Sequence, residues 1–158
     1  MIVLVMGVAG VGKTTLGEAL ARALGARFID ADDYHAPENV AKMKAGIPLE
    51  DADRWPWLQR LNGILKDEQK AVLACSALKE RYRRRLAEGL KDFKVVYLHA
   101  SAGLIRERMK ARKHRYMPAA LLESQLATLE PPSGAIAVDV AATPEQCVAA
   151  ILTELRKP

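Results

Sequence analysis

Aromatic residues make up only 5% of this 158-residue sequence, and cysteine occurs twice. No apolar run approaches the ~18–20 residues that a membrane-spanning helix needs. The longest candidate, residues 2–11, is interrupted by glycines and followed by Lys13. It also lacks the basic region that opens a signal peptide, so a cytoplasmic chain with no membrane partner is expected. No aromatic residues alternate with the basic ones, so the stacking platform that grips single-stranded nucleic acid is missing. Cys75 and Cys147 are too few for a disulfide framework or a metal knuckle, and their apolar neighbours suggest buried, reduced thiols. No linker, repeat or low-complexity stretch divides the chain, and a single domain over residues 1–158 is expected. The sequence carries 24 basic against 19 acidic residues, a net charge of +5 that suits an anionic ligand, and no nucleic-acid partner is expected.

What the sequence does contain is regular alternation. Val3, Leu4, Val5 and Met6 form a short apolar strand, a glycine-rich stretch ends it, and Leu16, Ala19, Leu20, Ala23 and Leu24 recur at helical spacing up to Gly25. Further strands are expected at 27–30, 71–75, 93–99 and 135–140. Helices are expected at 38–45, from about Pro56 to 69, and at 78–89, 104–113 and 118–129. Thr143 and Gln146 form a capping box that opens a terminal helix. The unbroken Val95-Val96-Tyr97-Leu98 predicts a strand buried on both faces. Five apolar strands alternating with helices imply an α/β fold, a three-layer sandwich with a five-stranded parallel sheet covered on both sides.

The chemistry is concentrated at residues 7–14. Gly7, Gly12, Lys13 and Thr14 satisfy the phosphate-loop pattern directly after the first strand and at the start of a helix. Backbone N–H groups of Gly7, Val8, Ala9, Gly10, Val11 and Gly12 then converge with the helix terminus on a phosphate. Lys13 reaches its outer oxygens, and Thr14, followed by Thr15, supplies a hydroxyl for magnesium. A dinucleotide site is the competing reading, because Asp30 and Asp32 lie at about the spacing of a ribose-binding acid. The glycine order, G-x-x-G-x-G, is wrong for it. No guanine-specific Asn-Lys-x-Asp follows, which removes support for a switch GTPase. A small-molecule kinase needs a carboxylate beside the phosphate loop to orient an acceptor hydroxyl or take its proton, and Asp30 and Asp32 end the second strand at that edge.

These residues belong to a longer pattern: Asp30-Ala-Asp32, His35, Asn39, Lys42-Met43, Gly46, Pro48-Leu49, Asp51, Asp53-Arg54 and Pro56-Trp57-Leu58. Beyond it come Cys75-Ser-Ala-Leu-Lys79, Tyr82-Arg83, Arg112, Met117-Pro118, Leu121-Leu122, Ser124-Gln125 and Thr128-Leu129-Glu130-Pro131. The chain thereby resembles the small gluconate kinases of the phosphate-loop group, relatives of shikimate and adenylate kinases, over nearly its whole length. It departs from their pattern at Ala36, at Arg84 and at Arg115-Tyr116, the last pair falling in a segment, about 112–120, that resembles a mobile lid.

The resemblance implies ATP-dependent phosphorylation of the terminal hydroxyl of gluconate, with magnesium, in a protein for which a homodimer is compatible. Lys13 and Thr14 would hold phosphates and magnesium, Asp30 would act in the magnesium shell through water, and Asp32 would serve as the base. The substrate segment would be about 32–58. Arg54 would grip the carboxylate with its planar fork; an ion pair with Asp51 or Asp53 is its structural alternative. His35 and Lys42 would contact hydroxyls or the carboxylate, or else cap a helix and face solvent. Ser76 and Ala77 would let substrate approach the third strand's end, helped by Arg83, unless Ser76 simply caps the next helix. Arg108 would stack on adenine while Arg112 stabilises the transferring phosphate. The alternatives are the same chemistry on another hydroxy acid such as shikimate, and a non-catalytic nucleotide- or RNA-binding protein.

Overall fold

The computed structural model describes residues 1–111 and 119–158, the side chains of 119–121 apart. The strands are β1 (Ile2–Met6), β2 (Arg27–Asp30), β3 (Ala71–Ala74), β4 (Phe93–His99) and β5 (Ile136–Asp139). The helices are α1 (Lys13–Leu24), α2 (Pro37–Lys44), α3 (Asp51–Lys66), α4 (Glu80–Ala87), α5 (Ala102–Ala111), α6 (Ala119–Thr128) and α7 (Pro144–Leu155). A 3-10 turn, Ala31–Tyr34, follows β2. The sheet order is β2-β3-β1-β4-β5 and every pairing is parallel. All five strands therefore end at one edge, where crossover connections leave loops free to build a site.

Alternation along β1 makes two cores. Val3 and Val5 pack with Leu16 and Leu20 of α1, Ile105 of α5, Leu122 of α6 and Ile151 of α7. Ile2, Leu4 and Met6 face the other way, against Trp57, Leu58, Leu61 and Leu65 of α3 and Tyr82 and Leu86 of α4. Each fully buried leucine contributes roughly 1.5–3 kcal/mol of transfer free energy. The central strand is thus covered on both faces, as a parallel sheet requires.

Two expectations are corrected. In β4, Val96 and Leu98 are buried while Val95 and Tyr97 are only half-buried. Helices α3 and α4 lie over β3 and β1, so β4 sits at the margin of that layer. The helix expected from Pro56 begins at Asp51 and ends at Lys66. Its start is set by acids: the Asp53 carboxylate accepts the Glu50 N–H at 2.9 Å, as the N3 residue of a capping box does. Pro56 instead lies one turn inside the helix. No described helix is long and apolar enough to cross a membrane.

Candidate active site

Residues 7–12 turn sharply from β1 into α1. Gly7 passes so close to β4 that a Cβ there would meet the Leu98 carbonyl oxygen at 2.6 Å. Gly12 holds φ at +92° directly before the helix, a conformation a side chain would strain. Lys13 opens α1 and folds back across the loop, its Nζ donating to the carbonyls of Gly7 and Val8, both at 3.0 Å. Burial pushes the Lys13 ammonium below its ordinary pKa, against the pull of Asp32, Cys75 and Asp30. A cation held in this way is ready to transfer its hydrogen bonds to phosphate oxygens.

Beside the loop, β2 ends in Asp30, whose Oδ1 accepts the Asp32 N–H at 3.0 Å and caps the 3-10 turn. The other oxygen, Oδ2, stands 3.5 Å from the Thr14 hydroxyl. Asp32 projects from the turn with its side chain 80% exposed. Desolvation by the surrounding protein raises the pKa of both carboxyls, and Lys13 counters the rise at each. Lys13, Thr14, Asp30 and Asp32 are thereby brought together, as their chemistry demands. Cys75 adjoins this group, but burial pushes its thiol up to about 12, and it has no nucleophilic character at neutral pH.

The acceptor-side residues divide. The Arg54 guanidinium donates through NH1 to the Leu49 carbonyl at 2.6 Å and to the Tyr82 hydroxyl at 3.2 Å. It pairs with neither Asp51 nor Asp53. Asp51 accepts from Tyr82 at 2.6 Å and pairs with Arg81 at 2.6 Å. Asp53 takes Lys42 instead, with Nζ at 3.0 and 2.9 Å from its two oxygens. The Glu50 N–H and Lys42 together hold the Asp53 carboxyl below the usual range. Lys42 is thus committed to fixing α2 on α3. Arg83 is also corrected: it is 4% exposed, and its guanidinium donates to the carbonyls of Ala77 at 2.7 Å and Glu130 at 2.8 Å and to the Glu80 carboxylate. It braces the loop after β3. There Ala77 is the one described non-glycine residue with positive φ, +44°, and Ser76 does not cap α4, because the Glu130 carboxylate accepts the Glu80 N–H at 2.8 Å.

On the far side of the phosphate loop, Val11, Gly12, Thr15, Arg108, Val140 and Cys147 line a cleft of about 280 Å³. Arg108 is held there by the Val140 carbonyl at 2.6 Å. An apolar cleft with one cation beside the loop suits the base of a nucleotide. Arg112 and the rest of the lid segment expected at about 112–120, as far as residue 118, lie outside the described residues.

Several further residues of the pattern hold the site together. Gln125 of α6 accepts the Ala9 N–H at 2.7 Å, Glu130 caps α4, Tyr82 holds Arg54, and buried Asn39 bonds both His35 and the Asp53 carbonyl. Their place in the family pattern marks them in the sequence, and the structure supplies what each one holds.

The oxygen donors at the loop mouth suit magnesium. The Thr14 hydroxyl and the Asp30 carboxylate are hard oxygen ligands facing one another at the mouth of the loop. Among the described residues no group of three or more His, Cys, Asp or Glu could hold a metal. That composition fits an ion held by one or two protein oxygens, waters and substrate phosphates.

A parallel sheet with its phosphate loop, two neighbouring acids and an apolar cleft holding one arginine at the same edge defines a phosphate-loop kinase. Residues 2–132 match the AAA domain family. The chain is 46% identical to a probable gluconokinase of Xenopus tropicalis, over 89% of its own length and 85% of that protein's. It is 40% identical to the thermosensitive gluconokinase of Escherichia coli (strain K12), over 94% and 86%. A crystal structure of a gluconokinase from Sinorhizobium meliloti 1021 superposes with a TM-score of 0.90 at 45% identity, covering 97% of this chain and 90% of that one. A shikimate kinase from Aquifex aeolicus vf5 shares the fold, with a TM-score of 0.62, at only 18% identity. The chain belongs to the gluconokinase family.

Proposed function

We propose that the protein transfers the terminal phosphoryl group of ATP to the terminal hydroxyl of gluconate, giving 6-phosphogluconate and ADP. The observation that carries the reading is the convergence of two acids on the phosphate loop at one sheet edge: the Asp30 carboxylate stands 3.5 Å from the Thr14 hydroxyl and accepts the Asp32 N–H, next to the loop across which Lys13 is folded. The loop N–H groups and Lys13 hold the phosphates, and the nucleotide base enters the cleft beside Arg108. Thr14 and Asp30 would hold magnesium, which would neutralise charge on the phosphates. Asp32 orients the acceptor hydroxyl and takes its proton as the oxygen–phosphorus bond forms and the bond to ADP breaks. Arg54, gripped from one side by Leu49 and Tyr82, turns the rest of its fork to the sugar-acid carboxylate. Both cysteines are free thiols, which fits a reducing compartment, and the proposal places the enzyme in the cytoplasm.

The experiment is ADP release with ATP, magnesium and one acceptor at a time: gluconate, shikimate, and an uncharged polyol of gluconate's length. Release with gluconate alone supports the reading. Equal release with the polyol removes the carboxylate grip, and release with shikimate alone changes the substrate.

A further inference from the structure

His35 differs from the contact its place in the substrate segment suggests. Its side chain is only 3% exposed and stacks on Trp57 with ring centroids 4.0 Å apart and planes at 19°. Trp57 is itself pinned, its Nε1–H donating to the Ala31 carbonyl at 2.8 Å, next to Asp32. The imidazole is therefore clamped as a flat plate beneath the turn that carries Asp32. Its Nε2 lies 3.8 Å from Asp32 Oδ1, and its Nδ1 lies 3.3 Å from Asn39 Nδ2.

Asn39 determines which nitrogen carries the proton. The same Nδ2 stands 2.9 Å from the Asp53 carbonyl oxygen. A carbonyl oxygen only accepts, so the amide must present its NH₂ there and not its oxygen. One of the two amide hydrogens goes to Asp53 and the other points at His35. The facing Nδ1 then has to accept, which leaves the hydrogen on Nε2, directed at the Asp32 carboxylate. The charged groups facing the ring are Asp32 and Arg54. Burial, with Arg54 adding to it, lowers the His35 pKa to about 4, so the ring is neutral at physiological pH.

We propose that His35 is a positioning residue for Asp32, held by Asn39 as its Nε2–H tautomer and donating that hydrogen to one carboxylate oxygen so that the other meets the acceptor hydroxyl. The separation of 3.8 Å exceeds a hydrogen bond, and rotation of the exposed Asp32 side chain closes it when the acceptor binds. The proposal rests on Asp32 being the base.

Two measurements test it. Nitrogen-15 NMR of the histidine-labelled enzyme at neutral pH, with the His35 signal identified by removing His99 and His114 in turn, reads the tautomer directly. An Nε2–H ring is expected; a ring protonated on Nδ1 overturns the proposal whatever any variant does. Kinetics then separate positioning from substrate contact. His35→Phe keeps the stack on Trp57 and loses the N–H, and is expected to lower kcat about 10–100-fold with both KM values within about twofold. His35→Gln, which keeps an N–H, should recover most of that loss. Placed on Asp32→Asn, His35→Phe should cost less than about threefold more, because the two act through one group. A raised gluconate KM at unchanged kcat makes His35 a substrate contact and sinks the idea. Full additivity on a slow Asp32→Asn enzyme sinks it too. An Asp32→Asn enzyme of normal kcat instead removes Asp32 as the base, a failure of the underlying reading that the tautomer measurement does not share.

Discussion

Arg54 and Tyr82 hold each other in two ways: the guanidinium donates to the phenol oxygen at 3.2 Å, and its carbon lies 5.1 Å over the ring centroid. Arg81 faces the same ring at 5.4 Å and ties Asp51 beneath it. The fork is thereby fixed between α3 and α4 before any ligand arrives, and such preorganisation raises affinity by reducing the ordering cost of binding.

Replacing Arg54 by lysine keeps the charge and loses the planar fork with its fixed direction. Hydrogen bonds to charged groups contribute about 1.5–3 kcal/mol, or roughly 10–100-fold in affinity. Steady-state kinetics on Arg54→Lys should show the gluconate KM raised by about that factor with the ATP KM nearly unchanged. Equal losses toward gluconate and an uncharged polyol would show that Arg54 does not read the carboxylate.

Asp32→Asn removes the base and leaves the phosphate loop intact. It should lower kcat by about 10²-fold or more while ATP affinity, measured by calorimetry, stays within a few-fold. Collapse of ATP binding would place Asp32 with the metal and exchange its role with Asp30.

Much of this arrangement was legible in the sequence. The loop at 7–14 follows a strand and opens a helix, and local spacing dictates both. Asp30 and Asp32 were legible because a strand end fixes their position. Arg83 and Lys42 were not. Whether a cation faces a ligand or a carbonyl depends on which loops meet in three dimensions, here Ala77 with Glu130 and α2 with α3. The start of α3 was hidden for a different reason: Pro56 reads as a first-turn proline, whereas the acids at 50–53 carry the cap.

Asn62, 2% exposed, donates to the carbonyls of Leu86 and Glu88 at 2.9 and 2.8 Å and closes the end of α4 onto α3. Asn62→Ala strands those acceptors and should cost about 2–3 kcal/mol of stability, read as a lower urea midpoint at unchanged slope. A change under 0.5 kcal/mol would mean that water replaces the amide.

The lowered pKa of His35 makes a stability prediction with a definite sign. The unfolded chain takes up a proton near pH 6.5 and the native ring only near 4. Its contribution is present in full above 6.5 and is lost as pH falls toward 4. Urea melts of the native protein should therefore lose stability across that window more steeply than those of His35→Phe, by at most about 1.4 kcal/mol per pH unit. Parallel curves would mean that His35 titrates normally.

The reaction itself is tested most directly by its product. Purified enzyme incubated with ATP, magnesium and gluconate, followed by phosphorus–proton correlation NMR, should show one phosphate ester on the terminal CH₂ carbon together with an equal amount of ADP. An ester at another carbon, or no gluconate-dependent ester at all, would contradict gluconate phosphorylation at the terminal hydroxyl.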